Sequence, residues 1–334
     1  MQRKGANMSK LIEFNNLHTT FFTDSGPVHA VNGVTFSIEE GSTTAVVGES
    51  GSGKSVTALS LMGLLPRPYG KIEEGDILYK GESILSMEKE ERRMLRSRDL
   101  AMIFQEPMTS LNPALKIGFQ IEEVYRRIMG LSKAEAKRKA VEMLEMVEIK
   151  DAENKARSYP HELSGGQRQR VMIAMALASS PKLLIADEPT TALDVTIQKE
   201  VLELMESLQR EMGTAIMLIT HDLGVVAQMA DDVVVMYGGR VMEKSDVCTI
   251  FDRPLHPYTI GLLRARPTLE NRGEKLYNIP GNVPPPSEME GHCPFYSRCD
   301  KRMDICGREV PRLREHRPGQ CVACFLYEGE ACCD

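Results

Sequence analysis

The residues Gly48 to Ser55, with the letters GESGSGKS, fit the pattern G-x-x-x-x-G-K-[ST] that holds the phosphates of a nucleoside triphosphate. Glycines permit the tight turn that points backbone N–H groups from Gly51 to Ser55 inward, and a helix starting there adds a positive dipole end. We expect Lys54 to reach the β- and γ-phosphates and Ser55 to ligate Mg²⁺ through its hydroxyl. ATP and Mg²⁺ are therefore the predicted ligands. The residues predicted to contact them here are Gly48, Ser50, Gly51, Ser52, Gly53, Lys54, Ser55 and Val56.

Two adjacent carboxylates end an apolar run further along the chain. Asp187 follows Leu183–Ala186 and is predicted to reach the metal ion, through a water molecule. Glu188 is predicted to be the general base that polarises the water attacking the γ-phosphate. Taken alone, the pair favours a simple helix cap at Glu188, because acidic pairs at strand ends are common and Pro189-Thr190 resembles a helix start. A phosphate loop in the same chain favours the catalytic interpretation.

Short apolar runs separated by helical patterns predict an α/β fold with a sheet buried on both faces. One strand leads directly into the phosphate loop, and a helix from Ser55 to Leu65 follows it and stops at Pro66. A helix-rich block is predicted over residues 117–180. The predicted strands are Thr43–Val47, Lys182–Ala186, Ala215–Ile219 and Asp232–Tyr237.

Composition excludes several classes of function. The formal net charge of -6 and the pI near 5.8 argue against broad electrostatic binding to nucleic acid. No apolar stretch approaches the length of a membrane span, and the first eight residues lack the apolar core of a secretory signal. We therefore expect a cytoplasmic protein whose connection to a membrane runs through another chain. The absence of an internal repeat favours one nucleotide-binding domain.

The eight cysteines lie late in the chain: none precedes Cys248, and seven fall between Cys293 and Cys333. Without a secretory signal, a disulfide scaffold is disfavoured and metal or cluster binding is favoured. Four thiolates can hold an iron–sulfur cluster or a tetrahedral Zn²⁺, although the spacing C-x₅-C-x₆-C is not that of a zinc ribbon. Few apolar neighbours are expected around these cysteines, which disfavours a set of free thiols. Cys248 is expected to pack as a small hydrophobic residue, and Cys332 and Cys333 are assigned no role.

Four further segments resemble motifs of the ATP-binding-cassette (ABC) ATPases. They are Ile103–Pro107, Leu163–Gln167, Asp187–Asp194 and Ile219–Asp222. The resemblance implies that Gln105 contacts Mg²⁺ and the attacking water, that His221 contacts the γ-phosphate and positions Glu188, and that Asp194 communicates across a dimer. It also implies that one turn contacts ATP held by a second subunit, although a simple helix cap would use the same residues: Ser164, Gly165, Gly166 and Gln167. By the same resemblance Phe21 stacks on adenine. Phe22 is the alternative, and both could equally be core residues.

Longer stretches are similar to the ATP-binding subunits of oligopeptide and dipeptide importers. They include Val46–Thr57, Phe104–Pro113, Tyr159–Gly166, Pro254–Thr259 and Ile279–Pro284, so that the resemblance extends from about Leu11 to Cys324. It implies a second, related ATPase as partner, two membrane permeases and an extracellular peptide-binding protein that acts indirectly. It also implies a 4Fe–4S cluster in the tail. The implied ligands are Cys293, Cys299, Cys306 and Cys324, with Cys321 as the alternative fourth ligand.

The expected fold is therefore a P-loop ABC ATPase, with a RecA-like core plus antiparallel β and helical subdomains. Residues 10–245 are expected to form the nucleotide-binding domain and residues 246–334 a small, irregular cysteine-rich extension. The expected function is ATP hydrolysis coupled to peptide uptake at the cytoplasmic face of a membrane. The alternatives are a soluble, non-transport ABC ATPase acting on a macromolecular complex and an importer of another solute such as nickel. A metal-sensing regulatory module would explain the tail alone.

Overall fold

Strands and helices alternate along most of the chain. The computed structural model describes residues 9–104, 110–191, 194–266 and 277–328. The strands are β1 (Lys10–Thr23), β2 (Gly26–Glu39), β3 (Thr43–Val47), β4 (Gly70–Tyr79), β5 (Glu82–Ser83), β6 (Leu100–Ile103), β7 (Leu183–Asp187), β8 (Ala215–Thr220), β9 (Asp232–Tyr237), β10 (Arg240–Asp246), β11 (Arg314–Arg317) and β12 (Gln320–Val322). The helices are α1 (Lys54–Met62), α2 (Lys89–Arg98), α3 (Ile117–Arg127), α4 (Lys133–Met146), α5 (Ala152–Lys155), α6 (Gly165–Leu177), α7 (Val195–Met212), α8 (Leu223–Met229), α9 (Val247–Asp252) and α10 (Pro257–Arg264).

The chain divides into two compact units. The first unit contains Glu39–Ser42 and Ser86–Leu218, together with Ser9. The second unit contains Lys10–Ile38, Thr43–Leu85 and the chain from Ile219 onward. The phosphate loop and the cysteine-rich extension therefore belong to the same unit, whereas the acidic strand end at Asp187 belongs to the other.

An antiparallel sheet with the order β2-β1-β4-β5 lies in the second unit. Buried residues recur along β1 and β2, and the rings of Phe14 and Phe36 stack with their centroids 4.5 Å apart. The register of β1 against β4 shifts between Asn15 and His18. Gly75 is required at this irregularity, because a Cβ atom there would lie 2.1 Å from the carbonyl oxygen of Asn16.

The strand that precedes the phosphate loop is buried along its whole length. All five residues of β3 are buried, and β3 pairs in parallel with β9, of which five of six residues are buried. Such apolar runs are typical of parallel strands covered on both faces. The predicted strands Thr43–Val47 and Asp232–Tyr237 are confirmed at both ends. In the same unit the order continues from β9 through β10 and β12 to β11.

Helix α1 is shorter than its sequence predicts. It ends at Met62, three residues before the predicted end at Leu65. Gly63 takes the left-handed conformation (φ 59°) and its N–H bonds to the carbonyl oxygen of Ser60, which closes the last turn. The helix thus stops at a glycine cap, a stronger local signal than the Pro66 that follows.

The first unit carries the helical block together with the strand order β8-β7-β6. Its helices α3, α4, α5 and α6 lie within residues 117–177, which agrees with the predicted block over 117–180. Strands β6 and β7 are parallel, with Ile103 opposite Ala186, so that both strands end at the same level. Across the described ranges, no helix combines the length and apolar character that crossing a bilayer requires.

Candidate functional site

Three glycines with positive φ angles shape the phosphate loop (Gly48–Ser55). Their φ values are 152° at Gly48, 79° at Gly51 and 95° at Gly53. A Cβ atom at Gly48 would lie 2.1 Å from the carbonyl oxygen of Met236, and one at Gly53 would lie 2.6 Å from that of Ala30. Two of the glycines are therefore needed for close packing as well as for the turn.

The side chain of Lys54 lies over the loop from which it projects. It is 6% exposed, and its Nζ donates to the carbonyl oxygens of Gly48 (2.8 Å) and Glu49 (2.9 Å) and to Ser52 Oγ (3.3 Å). Ser52 N–H in turn donates to the carbonyl oxygen of Glu49, which closes the loop on itself. An ammonium held above a ring of backbone groups at a helix N-terminus is suited to an anion such as a triphosphate. Ser55, the predicted Mg²⁺ ligand, follows in the first turn of α1.

The acidic pair lies at the end of β7 in the first unit. Asp187 is the last residue of the strand and is 7% exposed. Glu188 takes a φ of 48°, which non-glycine residues rarely adopt and which is frequent at active sites. Its carboxylate accepts a hydrogen bond from the hydroxyl of Thr191 at 2.9 Å. The carboxylate of Glu188 is therefore held by its own turn.

The turn Leu163–Gln167, called the signature turn below, opens α6 with a capping box. Ser164 Oγ accepts the N–H of Gln167 (3.3 Å), and the Gln167 side chain accepts the N–H of Ser164 (3.1 Å). Gly165 is the first helical residue. A Cβ atom at Gly166 would lie 2.7 Å from Ile197 Cγ2, so that glycine lets α6 and α7 approach. These residues form the helix cap that was the simpler alternative, and glycine N–H groups at a helix start can also serve a phosphate.

The remaining predicted residues of the nucleotide site are only partly described. Asp194 caps α7, and its carboxylate accepts the N–H of Ile197 at 3.0 Å. His221 is exposed and directly follows β8 in the second unit. Gln105 lies outside the described residues. Their assigned roles therefore stay predictions.

The two aromatic candidates for the adenine base differ in exposure. Phe21 is half-buried on β1, and a Cβ atom added to its partner Gly70 would lie 3.0 Å from its ring. Phe22 is 42% exposed, and the ammonium of Lys71 lies 5.5 Å from the centre of its ring. Phe22 has the more accessible ring, whereas Phe21 partly fills the role of a core residue.

Four cysteines of the extension line one cavity, called the cysteine cavity below. Cys293 and Cys306 are buried, and their main chains are joined by a 2.9 Å hydrogen bond from N–H to C=O. The lining cysteines are Cys293, Cys299, Cys306 and Cys324. Cys321 lies elsewhere: it pairs with Lys244 across β10 and β12 and lines a different cavity. The sequence left Cys321 and Cys324 as alternatives, and the fold places only Cys324 with the other three.

Burial raises the pKa of three of the thiols that line this cavity, those of Cys293, Cys299 and Cys324. Burial, with smaller contributions in the same direction from the neighbouring thiols of Cys306, Cys324 and Cys299, raises the pKa of Cys293 to about 12. Burial likewise raises the pKa of Cys324 to about 11. Deprotonating several such thiols together requires compensating positive charge, which a metal centre supplies.

Two expectations about the cysteines are wrong. Cys293 and Cys306 do not lack apolar neighbours, because they belong to a core cluster that includes Tyr237, Tyr258 and Phe295. Most of that cluster comes from segments distant in sequence, which local composition does not reveal. Cys248 is exposed rather than packed as a small hydrophobic residue. Cys332 and Cys333 lie outside the described residues.

Two residues near these sites were not singled out from the sequence. His256 is 1% exposed and lines the cysteine cavity; burial lowers its pKa to about 3, so that it is neutral there. Arg298 forms an ion pair with Glu49 of the phosphate loop at 2.6 Å. The signal that could have indicated a partner was the carboxylate of Glu49 itself, because a negative charge in a phosphate-binding loop calls for neutralisation.

Two family profiles match consecutive parts of the chain. Residues 31–191 match the ABC transporter family, and residues 242–306 match the C-terminal region of oligopeptide/dipeptide transporters. The oligopeptide transport ATP-binding protein AppD of Bacillus subtilis is 53% identical over 97% of this chain and 98% of its own length. The chain belongs to the family of ATP-binding subunits of oligopeptide/dipeptide ABC transporters. The oligopeptide transport ATP-binding protein OppD of Salmonella typhimurium is 50% identical over 94% of this chain and 93% of its own length.

Solved structures of ABC cassettes share the fold. The ATP-binding cassette MJ0796, a dimer in a post-hydrolysis state bound to ADP and Pi, superposes with a TM-score of 0.63 at 29% identity. The match covers 71% of this chain and 99% of that one. The protein cbiO1 from Clostridium perfringens, part of the transporter complex cbiONQ, gives a TM-score of 0.64 at 29% identity, covering 73% of this chain and 92% of its own. The predicted P-loop ABC ATPase fold is confirmed, and the chain is an ABC transporter ATPase subunit.

Proposed function

We propose that this chain hydrolyses ATP to drive the uptake of oligopeptides or dipeptides through partner permeases. The observation that carries the proposal is the pairing of an ABC cassette with the C-terminal region of peptide transporters in one chain. Relatives named for oligopeptide transport align over nearly their whole length, so that the similarity is not confined to the cassette. The proposed location is the cytoplasmic face of the membrane, reached by contact with the permeases.

Each part of the nucleotide site has a proposed role in hydrolysis. Lys54 and the loop N–H groups bind the triphosphate, and Phe21 or Phe22 stacks on the base. Ser55, Asp187 and Gln105 offer the oxygen donors that Mg²⁺ prefers, and the ion would neutralise phosphate charge. Glu188 accepts a proton from the attacking water, while His221 orients Glu188 and the γ-phosphate. The left-handed turn at Glu188 supports this role, because backbone strain of this kind collects at active sites.

A second ATPase subunit is part of the proposal. Residues Ser164 to Gln167 would contact ATP bound by the partner, and Asp194 would signal across the interface. The dimeric cassette MJ0796 supports an assembly of this type. A second, related ATPase and two permeases would complete the transporter, with an extracellular peptide-binding protein delivering cargo. Loss of the γ-phosphate would then separate the two ATPases and change the shape of the permeases.

The test is uptake by vesicles that contain the chain together with its partner ATPase and permeases. The vesicle lumen corresponds to the cytoplasm and contains ATP, and labelled di- to pentapeptides are added outside together with the binding protein. ATP in the lumen should then drive uptake of the peptides. Uptake of nickel without uptake of peptide would overturn the cargo assignment. Stable copurification with ribosomes or DNA instead of permeases would overturn the transport assignment and favour a soluble ABC ATPase.

For the cysteine cavity we propose a 4Fe–4S cluster, held by Cys293, Cys299, Cys306 and Cys324. Four thiols that line one cavity match the donor set of such a cluster. A single Zn²⁺ would need sulfur atoms about 4 Å apart, from Zn–S bonds of about 2.3 Å in a tetrahedron. Among the described residues, no three His, Cys, Asp or Glu side chains are arranged to surround one ion. The proposed role of the cluster is to stabilise the extension.

The cluster is tested by measuring iron, acid-labile sulfide and zinc on anaerobically purified protein, together with the visible absorption spectrum. About four irons and four sulfides per chain are expected for a 4Fe–4S centre. Zinc without sulfide would replace the cluster by a structural metal ion. If the protein contains neither iron nor zinc, the proposed metal centre is refuted and the ATPase assignment is unaffected.

A further inference from the structure

One side chain joins the cysteine-rich extension to the phosphate loop. A short 3₁₀ turn, Tyr296–Arg298, ends immediately before Cys299, which lines the cysteine cavity. The guanidinium of Arg298 donates to Glu49 from both ends: Nη1 to Oε2 at 2.6 Å and Nη2 to Oε1 at 3.2 Å. Two parallel bonds of this kind fix the orientation of both partners. Arg298, next to the proposed cluster ligand Cys299, thus forms two hydrogen bonds to Glu49, the second residue of the phosphate loop.

This ion pair is built into the protein interior. The Arg298 side chain is 5% exposed and the Glu49 side chain 27%. The guanidinium also donates to the carbonyl oxygens of Ile279 (3.4 Å) and Pro280 (3.0 Å) and to the Tyr237 hydroxyl (3.4 Å). Burial alone lowers the pKa of Arg298, but the hydrogen bonds to Glu49 and Tyr237 and the charge of Glu49 outweigh it and raise the pKa. The charge is therefore fixed at any pH the cell reaches.

The backbone of Glu49 is held as firmly as its carboxylate. Its N–H donates to the hydroxyl oxygen of Tyr258 at 2.8 Å, and its carbonyl oxygen accepts from Lys54 Nζ at 2.9 Å. The Tyr258 ring is fully buried and packs against Phe295, with centroids 5.3 Å apart. Phe295 itself lines the cysteine cavity. Two independent contacts, one ionic and one through a buried ring, therefore connect that cavity to one loop residue.

The negative charge of Glu49 affects ATP binding in the same loop. A carboxylate in a loop that binds a triphosphate repels the ligand, and the repulsion is stronger at a partly buried site. Arg298 cancels that charge. We infer that Arg298 is a positioning residue of the nucleotide site, which neutralises Glu49 and couples ATP binding to the cysteine centre. The coupling to the centre rests on the proposed cluster, whereas the effect of Arg298 on ATP does not.

A double-mutant cycle on the purified chain tests whether Arg298 supports ATP binding by neutralising Glu49. The affinity for a fluorescent ATP analogue is measured with Mg²⁺ for the wild type, Arg298→Gln, Glu49→Gln and the double variant. Arg298→Gln leaves Glu49 uncompensated and should weaken binding about tenfold. Glu49→Gln should bind at least as tightly as the wild type, and the double variant should return to within about twofold of it.

Matched controls separate positioning from general damage to the extension. Arg302→Gln removes a neighbouring guanidinium that lies 5.6 Å from the Tyr296 ring and should leave ATP affinity unchanged. Arg298→Lys restores the charge without the two-pronged geometry and should recover part of the affinity. Unchanged affinity in Arg298→Gln would overturn the inference. So would a double variant as weak as Arg298→Gln, because only a structural role predicts that result.

The coupling is tested with Cys299→Ser, measuring metal content and ATP affinity on the same preparation. Loss of the metal should displace the adjoining turn and weaken ATP binding in the wild-type background, but not in the Arg298→Gln/Glu49→Gln background. Loss of metal with unchanged ATP affinity would overturn the coupling. A wild-type chain without metal would instead refute the proposed cluster, while the double-mutant cycle would still decide the role of Arg298.

Discussion

The phosphate loop and the cysteine cavity both lie in the second unit, yet different kinds of sequence information specify them. Eight consecutive residues form the loop, and its shape depends on glycine backbone angles. The cavity collects cysteines spread from Cys293 to Cys324 around an apolar cluster to which β9 and α10 contribute Tyr237 and Tyr258. A contiguous motif can thus be identified from its letters, whereas an assembled site depends on the core that gathers its members.

The contrast also predicts different responses to substitution. A change in the nucleotide motifs should alter ATP chemistry without affecting the cavity. A change in a cavity cysteine should remove the metal and loosen the packing around it, because Cys293 and Cys306 are themselves part of the core. Arg298 is the expected exception, since it belongs to the extension by sequence and to the phosphate loop by contact.

The largest effect is expected from Glu188→Gln. Removing the proposed base should slow hydrolysis by about 10²- to 10⁴-fold and leave ATP binding intact, so that the ATPase dimer stays closed. Hydrolysis and nucleotide occupancy are measured on the assembled transporter, with the partner ATPase site inactivated. Glu203→Gln, on an exposed part of α7, is the control. Near-normal hydrolysis by Glu188→Gln would show that this residue is not the general base. Loss of metal from the cysteine cavity in this variant would show that the nucleotide site and the cavity do not respond independently.

A comparison of two loop glycines gives the next largest effect. Gly48→Ala places a Cβ atom against the Met236 carbonyl oxygen and should lower the free energy of unfolding by about 3 kcal/mol. Gly51→Ala has open space around it and only its φ of 79° to strain it, so that about 1 kcal/mol is expected. Chemical denaturation monitored by circular dichroism measures both. Equal losses would mean that the loop is specified by its turns alone and not by its packing.

The smallest effect is expected from two matched helix caps in the first unit. Ser164 and Ser132 each form a capping box, at the starts of α6 and α4. Replacing either with Ala should lower the free energy of unfolding by about 1 kcal/mol. Only Ser164→Ala should also slow hydrolysis in the assembled transporter, because only the signature turn is proposed to contact the partner's ATP. Equal ATPase rates for the two variants would reduce the signature turn to a cap.

Much of the nucleotide-binding domain was predictable because its sequence patterns are local. The strand Thr43–Val47 and the helical block follow from short-range patterns that tertiary packing did not override. The end of α1 was misplaced only because the cap at Gly63 acts before Pro66. The bounds of strands β1 and β2, each of 14 residues, were not predicted; register shifts in β1 and half-buried positions in both strands interrupt the alternation that marks a strand.

The extension was less predictable because its contacts join distant residues. Arg298 and Glu49 are separated by 249 positions, and no local pattern pairs them. The core cluster that contains Cys293 includes residues of β3, α8, β9 and α10, all distant in sequence, so that the composition around the cysteines was misleading. The choice between Cys321 and Cys324 depended on a strand: Cys321 lies within β12, whereas Cys324 follows it at the start of the next turn.

Whether the cysteine cavity holds the cluster is tested by the iron and sulfide content of two variants, Cys324→Ser and Cys321→Ser, purified anaerobically beside the wild type. We expect Cys321→Ser to keep the wild-type content and visible absorption, and Cys324→Ser to lose both and to bind ATP more weakly, as the coupling through Arg298 predicts. Retention of iron and sulfide by Cys324→Ser, or their loss from Cys321→Ser, would show that Cys293, Cys299, Cys306 and Cys324 are not the ligands of the cluster.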